Sequence, residues 1–231
     1  MICLVDGDLI GWRCAPVCEG LDEKIALWQA DELVRRIVTE CGTDDYKIYL
    51  SGDNNFRYNI YPEYKANRRD KPRPTHLEAI RAHLITEWDA SICDGYEADD
   101  ALGMALSEGT EGIVASIDKD LLQVPGKHYH FVNREFITIT EIEGWRNFYS
   151  QVLTGDVADN VPGCPGIGKV KAPRLLQPCN SELDMYNVCL SAYKDIYKKR
   201  KIESDPVTDM HRNANLLYIW RREDDLWPLP C

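Results

Sequence analysis

The chain has 231 residues, of which 44% are hydrophobic, and its formal net charge at pH 7 is −11. This length and apolar content suit one domain with an appended subdomain, and no apolar run approaches the roughly 18 residues that a membrane span needs. Nine cysteines without a CxxC pair argue against a disulfide framework or a zinc site, so the sequence predicts a soluble, cytoplasmic protein with reduced thiols and no membrane partner.

The first predicted element is a buried strand at 2–5 that ends at Asp6, after which Gly7 is expected to let the backbone turn. Apolar residues at three- and four-residue spacing then predict an amphipathic helix over 30–41. A second strand is predicted at 47–50. The order strand, helix, strand predicts a parallel sheet with right-handed crossovers.

Residues 54–74 lack apolar periodicity and combine cations with aromatic rings. Such a long irregular segment inside a compact domain is usually functional or disordered. The mixture is suited to pairing with phosphates and stacking on bases. Its members are Phe56, Arg57, Tyr58, Tyr61, Tyr64, Lys65, Arg68, Arg69, Lys71 and Arg73. A second basic run, over 194–201, is interpreted instead as a solvated helix face.

Three predicted strands end in or near an aspartate. Asp6 ends the first strand, Asp53 follows the second, and Asp118 follows a strand predicted at 112–117, with Asp120 two residues further on. Ligands of an open α/β sheet bind beyond the carboxyl ends of its strands. We therefore expect Asp6, Asp53 and Asp118 to converge at one edge.

The stretch 94–103 places three more carboxylates at the start of a predicted helix. Glu97 and Asp100 share one face of that helix, whereas Asp99 projects elsewhere. A helix N-terminus tolerates negative charge, but carboxylates this close repel one another unless cations neutralise them. The cluster therefore indicates a site for a divalent cation.

Local signals also predict the elements around these acids. Thr75 with Glu78, and Thr140 with Glu143, predict capping boxes at the starts of two helices. The remaining predicted elements are a hairpin over 128–132 and 136–140, a covering helix over 181–201, and a tryptophan-bearing tail over 215–231 that packs back on the domain.

A second informative stretch begins at Gly155 with a GDxxDN pattern. It continues to Gly166 and Gly168, whose unobstructed backbone N–H groups can bind a phosphate oxygen without regard to base identity. Lys169 and Lys171 add positive charge there. This combination predicts a helix-hairpin-helix that clamps a duplex backbone.

With these residues in view, the chain resembles the flap endonuclease and 5′→3′ exonuclease superfamily, in particular its bacteriophage 5′-nuclease type. It is also similar to the 5′-nuclease domain of bacterial DNA polymerase I. The resemblance covers most of the chain and rests on several motifs in order: LVDGD, SGDNNFR, PEYKANR, GYEADD, SIDKD and TGDVADNVPGCPGIGKVKA.

The resemblance implies an α/β fold: a PIN-like core with a mostly parallel central sheet flanked by helices, plus a helix-hairpin-helix subdomain that binds DNA. The core is expected over 1–140, including an arch or flap segment at 54–75. The helical subdomain is expected over 141–231, with the hairpin at 154–178. Pro173 departs from the family pattern, so the second hairpin helix is expected to be kinked or to begin late.

The implied enzyme is a Mg²⁺-dependent 5′→3′ exodeoxyribonuclease and structure-specific flap endonuclease with a two-metal mechanism. It would hydrolyse DNA and RNA primers from 5′ ends, as a monomer, in phage replication, recombination or DNA degradation. Its expected partners are duplex or flapped DNA and an RNA–DNA hybrid. Two Mg²⁺ or Mn²⁺ ions are implied, and a K⁺ at the hairpin.

The resemblance also implies roles for individual residues. One ion would be held by Asp6, Asp53, Glu97 and Asp99, and the other by Asp118, Asp120 and Asp156, while Asp100 and Asp159 would hold ordered waters or lie just outside the direct metal ligands. The implied catalytic residues are Lys65, Asp6, Asp53 and Asp120. The implied nucleic-acid-binding residues are Arg13, Arg57, Tyr64, Lys65, Arg68, Gly166, Gly168, Lys169 and Lys171.

Two alternatives remain at this point. A haloacid-dehalogenase-type phosphohydrolase would use Asp6 and Asp8 after the first strand and Ser51 after the second. It would leave the cluster at 97–100 and the hairpin glycines unexplained. A catalytically silent DNA-junction-binding protein would keep the fold, although without metals it would gain stability by losing the acids that repel one another.

Overall fold

A computed structural model describes residues 1–69, 71–109 and 111–230. These residues divide into two compact units. The first consists of Met1–Asn55, Pro72–Ile139 and Trp220–Glu223, and the second of Phe56–Lys71, Thr140–Ile219 and 224–230. The units change between Ile139 and Thr140, next to the predicted boundary at 140. The segment 56–71, however, belongs with the helical unit, and 220–223 belongs with the sheet.

A six-stranded sheet organises the first unit. Its strands are β1 (Ile2–Asp6), β2 (Tyr46–Asn55), β3 (Ser91–Gly95), β4 (Gly112–Ala115), β5 (Gly126–His130) and β6 (Glu135–Ile139). Their order is β3-β2-β1-β4-β5-β6, with β6 antiparallel to β5 and the other pairs parallel. The predicted mostly parallel sheet and the predicted hairpin are confirmed, whereas β3 was not predicted.

The helices are distributed over both units. They are α1 (Gly7–Val17), α2 (Glu23–Glu40), α3 (Arg57–Ile60), α4 (Leu77–Trp88), α5 (Ala98–Ser107), α6 (Glu141–Thr154), α7 (Lys171–Leu176), α8 (Glu182–Arg200) and α9 (Pro206–Leu217). In the second unit two short strands, β7 (Gly155–Asp156) and β8 (Val161–Pro162), pair antiparallel.

Alternate residues of β1 face opposite sides of the sheet, as a strand buried on both faces requires. Cys3 and Val5 belong to a buried apolar cluster with residues of α1, α2 and α4. On the other face, Leu4 and Leu106 of α5 lie against Gly112. The central position of β1 explains why its sequence is a continuous apolar run.

Gly7 serves close packing rather than a turn. The backbone enters α1 directly after Asp6, and a Cβ at Gly7 would lie 2.7 Å from the carbonyl oxygen of Tyr49. Gly7 therefore lets the start of α1 lie against β2, which the sequence interpretation did not anticipate.

The two predicted capping boxes have different outcomes. The box of Thr140 and Glu143 is confirmed at the start of α6. The box of Thr75 and Glu78 is wrong, because α4 begins after His76 without a side-chain cap. Thr75 instead donates from its backbone N–H to Glu19 Oε2 at 3.2 Å, so a partner distant in sequence replaces the local one.

An aromatic cluster fills the second unit. The ring of Phe148 on α6 lies 5.6 Å from that of Tyr218 and 5.8 Å from that of Trp227, measured between centroids. Trp227 belongs to the tail, so this part of the tail packs on the helices of its own unit. The helix α9 was not predicted. In the part of the chain that the structure describes, no helix is long and apolar enough to cross a membrane.

Candidate functional site

Asp6 lies at the carboxyl end of the central strand, where it caps α1. Its Oδ1 accepts the backbone N–H of Leu9 at 3.1 Å, and its Oδ2 accepts the hydroxyl of Ser116 at 2.8 Å. Only 3% of the residue is exposed. The strand order places β1 between β2 and β4, so the carboxylate lies in the middle of the sheet edge.

The surroundings of Asp6 are unfavourable to its charge. Burial, followed by the nearby carboxylates of Asp8 and Asp118, raises the pKa of Asp6 to about 7, although the hydrogen bonds from Leu9 and Ser116 oppose the shift. Acids from β1, from the start of α1 and from the loop after β4 are therefore close enough to repel one another. Such repulsion is what a bound cation relieves.

Asp8 has a cationic partner that the sequence did not reveal. Its carboxylate forms an ion pair with Arg81 of α4 and also accepts the backbone N–H of Ser51 at 3.0 Å. Arg81 donates in turn to the carbonyl oxygen of Ser51 at 2.6 Å. The sequence drew attention to Asp8 only for the phosphohydrolase alternative, and no local signal marks Arg81.

The loop after β4 is organised by short-range hydrogen bonds. Asp118 Oδ1 accepts the backbone N–H of Asp120 at 2.8 Å, and the backbone N–H of Asp118 donates to Ser116 Oγ at 3.0 Å. Asp120 is paired with its neighbour Lys119. Ser116 thus contacts both Asp6 and the backbone of Asp118, and it joins the ends of β1 and β4.

The acidic helix α5 begins as predicted, but its three carboxylates have different environments. Glu97 is the N-cap and forms a capping box with Asp100. Asp100 is fully buried, and its two oxygens accept the backbone N–H groups of Glu97 and Trp220, each at 3.0 Å. Both oxygens of Asp100 therefore have backbone partners. Asp99 is partly exposed.

The same acids also affect the pKa of a buried thiol, that of Cys93. Burial, followed by the charges of Asp8, Asp100 and Asp99, raises the pKa of Cys93 on β3 to about 12. The acids of α1 and α5 therefore lie near the same strand end. Asp53 is exposed near the end of β2, beyond the point where the pairing of β2 with β3 shifts register.

These acids suit a divalent cation in their chemistry, because hard cations prefer carboxylate oxygens and waters. The burial of Asp6 among like charges supports the same view. Among the described residues, however, no group of three or more His, Cys, Asp or Glu side chains is arranged to hold an ion. Asp6, Asp8 and Asp120 have hydroxyl, amide or cationic partners instead.

In the second unit, two cations of the segment 56–71 and one of its tyrosines converge on Asp159. The hydroxyl of Tyr64 donates to Asp159 Oδ2 at 2.9 Å, and Lys65 Nζ lies 3.7 Å from the same oxygen. Arg68 pairs with Asp159 Oδ1 and donates from Nε to the carbonyl oxygen of Ala158 at 2.9 Å. We call these four residues, Tyr64, Lys65, Arg68 and Asp159, the Asp159 cluster.

The backbone of Lys65 is strained within this cluster. Its φ is +54°, in the left-handed region that costs a residue with a side chain about 1 kcal/mol or more. The backbone N–H of Lys65 donates to the carbonyl oxygen of Asp159 at 2.9 Å, which helps to hold this conformation. The residue that the resemblance makes catalytic is therefore fixed in place by its own unit.

Two of the predicted nucleic-acid-binding residues are buried. Tyr64 is 2% exposed, so its ring offers no open face on which a base could stack. Arg57 is also 2% exposed and donates to the carbonyl oxygens of Leu216 at 2.9 Å and Tyr218 at 2.8 Å. In this structure Arg57 therefore bonds protein backbone rather than presenting its charge to a phosphate. Arg13, on α1, is exposed.

The GDxxDN stretch forms a tight turn between β7 and β8. Asp156 Oδ1 accepts the backbone N–H groups of Ala158 at 2.6 Å and Asp159 at 3.3 Å. Asn160 Nδ2 donates to the carbonyl oxygen of Glu63 at 2.7 Å. This turn therefore explains why the segment 56–71 belongs to the second unit.

The predicted hairpin glycines lie between two helices of unequal length. Gly166, Gly168, Lys169 and Lys171 are all exposed. The helix that follows, α7, begins only at Lys171 and spans six residues. Pro173 lies in its first turn, where a missing N–H removes no helical hydrogen bond. This late start is the outcome expected from Pro173.

Comparisons with known proteins agree with this architecture. Residues 23–150 match the family described as 5′-3′ exonuclease, N-terminal resolvase-like domain. The thermostable DNA polymerase I of Thermus aquaticus is 29% identical over 200 residues, which are 78% of this chain but 24% of that protein. The chain therefore spans about a quarter of the length of this relative.

Two solved structures of a bacteriophage T5 enzyme share the fold. The 5′-exonuclease with bound zinc has a TM-score of 0.67 at 17% identity, with 94% of this chain and 88% of that chain covered. The flap endonuclease in a complex with DNA and metal ions has a TM-score of 0.60 at 16% identity, with 94% and 92% covered. Because the family match extends over more than half of the sequence, this chain belongs to the 5′-3′ exonuclease family with its N-terminal resolvase-like domain.

Proposed function

We propose that the chain is a divalent-metal-dependent nuclease that hydrolyses DNA phosphodiester bonds from 5′ ends, as a 5′→3′ exonuclease and a flap endonuclease. Family membership supports the reaction class, and the T5 complex with DNA and metal ions supports the substrate and the kind of cofactor. The finer proposals are Mg²⁺ or Mn²⁺ as the ions, cleavage of RNA primers, a monomeric state and a K⁺ near the hairpin glycines.

The observation that carries the proposal is the burial of Asp6 among other carboxylates at the sheet edge. An ionised Asp6 beside Asp8 and Asp118 is unfavourable without positive charge, and Arg81 pairs with only one of these acids, Asp8. We assign ion binding in the first unit to its acids at this edge: Asp6, Asp53, Glu97, Asp99, Asp118 and Asp120. Bound divalent ions would supply an activated water and stabilise the leaving oxygen.

The protein's own residues would prepare the site for this chemistry. Ser116 orients the carboxylate of Asp6 and the backbone of Asp118 through two hydrogen bonds. Arg81 keeps Asp8 paired, so that Asp8 adds less repulsion than a free carboxylate would. In the second unit, Lys65 and Arg68 provide cationic groups suited to a phosphate backbone. We leave Arg57 and Tyr64 out of the DNA-binding set because both are buried.

The test is cleavage of matched 5′-flap, blunt duplex and RNA–DNA hybrid substrates with Mg²⁺, with Mn²⁺ and with a chelator. We expect metal-dependent release of products from the 5′ end. The Asp118→Asn variant should lose this activity. Asp44→Asn is the matched control, because Asp44 is an exposed acid just before β2, at the opposite end of that strand.

Full activity of Asp118→Asn, or activity in the chelator, would contradict the proposal. Selective hydrolysis of small phosphate esters instead of DNA would favour a phosphohydrolase. The haloacid-dehalogenase-type alternative has no support from the family match, since the matched family is a nuclease family.

A further inference from the structure

The last residue of α8 lies against the predicted hairpin glycines. A Cβ built at Gly166 would be 2.5 Å from Nη2 of Arg200 and 3.5 Å from its Cζ. The guanidinium therefore occupies the space that any side chain at position 166 would need. Gly166 also has a φ of +86°, a conformation that favours glycine.

A neighbouring thiol gives a second indication of the same arrangement. Burial raises the pKa of Cys164 to about 11, and the two cations that oppose this shift are Lys171 and Arg200. Both positive groups are therefore close to Cys164, which precedes Gly166 by two positions. Arg200, the last residue of α8, lies 34 positions after Gly166 in the chain, so its presence here is a tertiary effect.

The surface around Arg200 has the chemistry of a phosphate-binding site. Gly166, Gly168, Lys171 and Arg200 are exposed. Among the described residues other than Gly168 and its two chain neighbours, no heavy atom lies within 4 Å of the place where a Cβ at Gly168 would be. The backbone at Gly168 is thus open to close approach by a ligand, whereas Gly166 lies against the guanidinium of Arg200. A guanidinium can bind a phosphate with two parallel hydrogen bonds, and a lysine adds a point charge.

The rest of the basic run does not share this position. Lys194 lies two turns earlier on α8, and its charge acts on Asp205, the N-cap of α9. The cations of the basic run over 194–201 therefore have different surroundings. The charge of Lys194 acts on Asp205, whereas Arg200 lies beside Gly166.

We infer that Arg200 binds a phosphate of the DNA backbone and forms, with Gly166, Gly168 and Lys171, one phosphate subsite of the second unit. This inference rests on the proposed function and adds a residue to its DNA-binding surface. The sequence analysis interpreted the basic run over 194–201 as a solvated helix face, and for Arg200 the present inference replaces that interpretation. A contact of this kind is independent of base identity, because it involves the backbone only.

The experiment measures binding of the full chain to a blunt DNA duplex by fluorescence anisotropy over a series of salt concentrations. A chelator is present, so that binding is separated from cleavage. The variants are Arg200→Ala and Arg200→Lys, with Lys194→Ala as the control that removes one cation from the same helix. Thermal unfolding of each variant shows whether the fold is retained.

We expect Arg200→Ala to weaken binding several-fold at low salt and to reduce the slope of log Kd against log salt by about 0.9, the value for one lost phosphate contact. Arg200→Lys should restore the slope, because the charge is retained. Lys194→Ala should bind as the wild type does. Cleavage by Lys194→Ala should also equal that of the wild type.

Two results would overturn the inference. One is a slope for Arg200→Ala equal to that of the wild type. The other is a change in melting temperature without a change in slope, which would mean that Arg200 only packs against the loop. If the wild type itself neither binds nor cleaves DNA, the proposed function fails as well, so the two failures are distinguishable.

Discussion

Asp6 in the first unit and Asp159 in the second were both predicted to serve the metal site, yet their surroundings have opposite charge. Asp6 is buried beside Asp8 and Asp118, and this environment raises its pKa. Asp159 accepts hydrogen bonds or ion pairs from Tyr64, Lys65 and Arg68. The carboxylates around Asp6 favour binding of a cation there. The cations around Asp159 instead pair with it, and these contacts order the segment 56–71.

The largest effect is expected from Asp6→Asn. This change should lower the rate of DNA cleavage by at least about a hundredfold, because a group that stabilises charge in the transition state is lost. Without metal, the same variant should be more stable than the wild type, since the amide removes repulsion from Asp8 and Asp118. Chemical denaturation and cleavage assays measure the two effects.

Melting temperatures measured with Mg²⁺ provide a second test of Asp6 as a metal ligand. The ion should raise the melting temperature of the wild type and have a smaller effect on Asp6→Asn, because a ligand that binds only the folded state stabilises it. Asp44→Asn should behave as the wild type does. Equal stabilisation of wild type and Asp6→Asn by Mg²⁺ would count against Asp6 as a ligand.

Arg57→Ala is expected to destabilise the protein by about 2–3 kcal/mol, because two buried carbonyl oxygens lose a charged donor. The residue's two hydrogen bonds to Leu216 and Tyr218 are the reason. Urea denaturation measures the loss, with the exposed Arg174→Ala as control. A normal stability combined with weakened DNA binding would instead restore the role implied by the family resemblance.

A smaller effect on stability is expected from Asp159→Asn, which tests the role of the acid that lies among cations. Asn can still accept the hydroxyl of Tyr64, but the ion pairs with Lys65 and Arg68 are lost. Because Arg68 is half exposed, the loss of stability should be below about 1 kcal/mol.

Affinity for duplex DNA in a chelator should rise a few-fold in Asp159→Asn, since both cations lose their acidic partner. The exposed Asp195→Asn on α8 is the control, and anisotropy is the measurement. An unchanged affinity would mean that Lys65 and Arg68 do not contact the duplex.

The last prediction concerns the dependence of stability on pH, in which His128 and Asp6 should act in opposite directions. His128 is 5% exposed, and burial lowers its pKa below 6.5, although its hydrogen bond with the carbonyl oxygen of Val124 opposes the shift. The unfolded chain then binds more protons below pH 6.5, so His128 makes the protein less stable as pH falls. His128→Gln should reduce this loss, which cannot exceed about 1.4 kcal/mol per pH unit.

Asp6 should change the stability with pH in the opposite direction. Its pKa is raised from 3.8 to about 7, so its contribution to stability is present below pH 3.8 and is lost as pH rises towards 7. Urea denaturation between pH 5 and 8 of His128→Gln, Asp6→Asn and the control His130→Gln measures the two slopes. Identical slopes in all three variants would contradict both assignments.

Elements with a strong local pattern were predicted correctly. The continuous apolar run of β1 and the acid at its end are visible in five consecutive residues, and the capping box of Thr140 and Glu143 lies within four. Predictions failed where a distant residue competes for a local group. Thr75 contacts Glu19 instead of capping α4 with Glu78, and no spacing in the sequence indicates that contact.

The sequence by itself determined the parallel sheet and the acids at its edge, because strand periodicity and the residue that follows each strand are local properties. Only the tertiary structure decided the partner of each charge. It paired Arg81 with Asp8, directed Arg57 to backbone carbonyls and placed Arg200 beside Gly166. Those pairings depend on which distant segments pack together, and a periodic pattern along one segment carries no information about its neighbours in space.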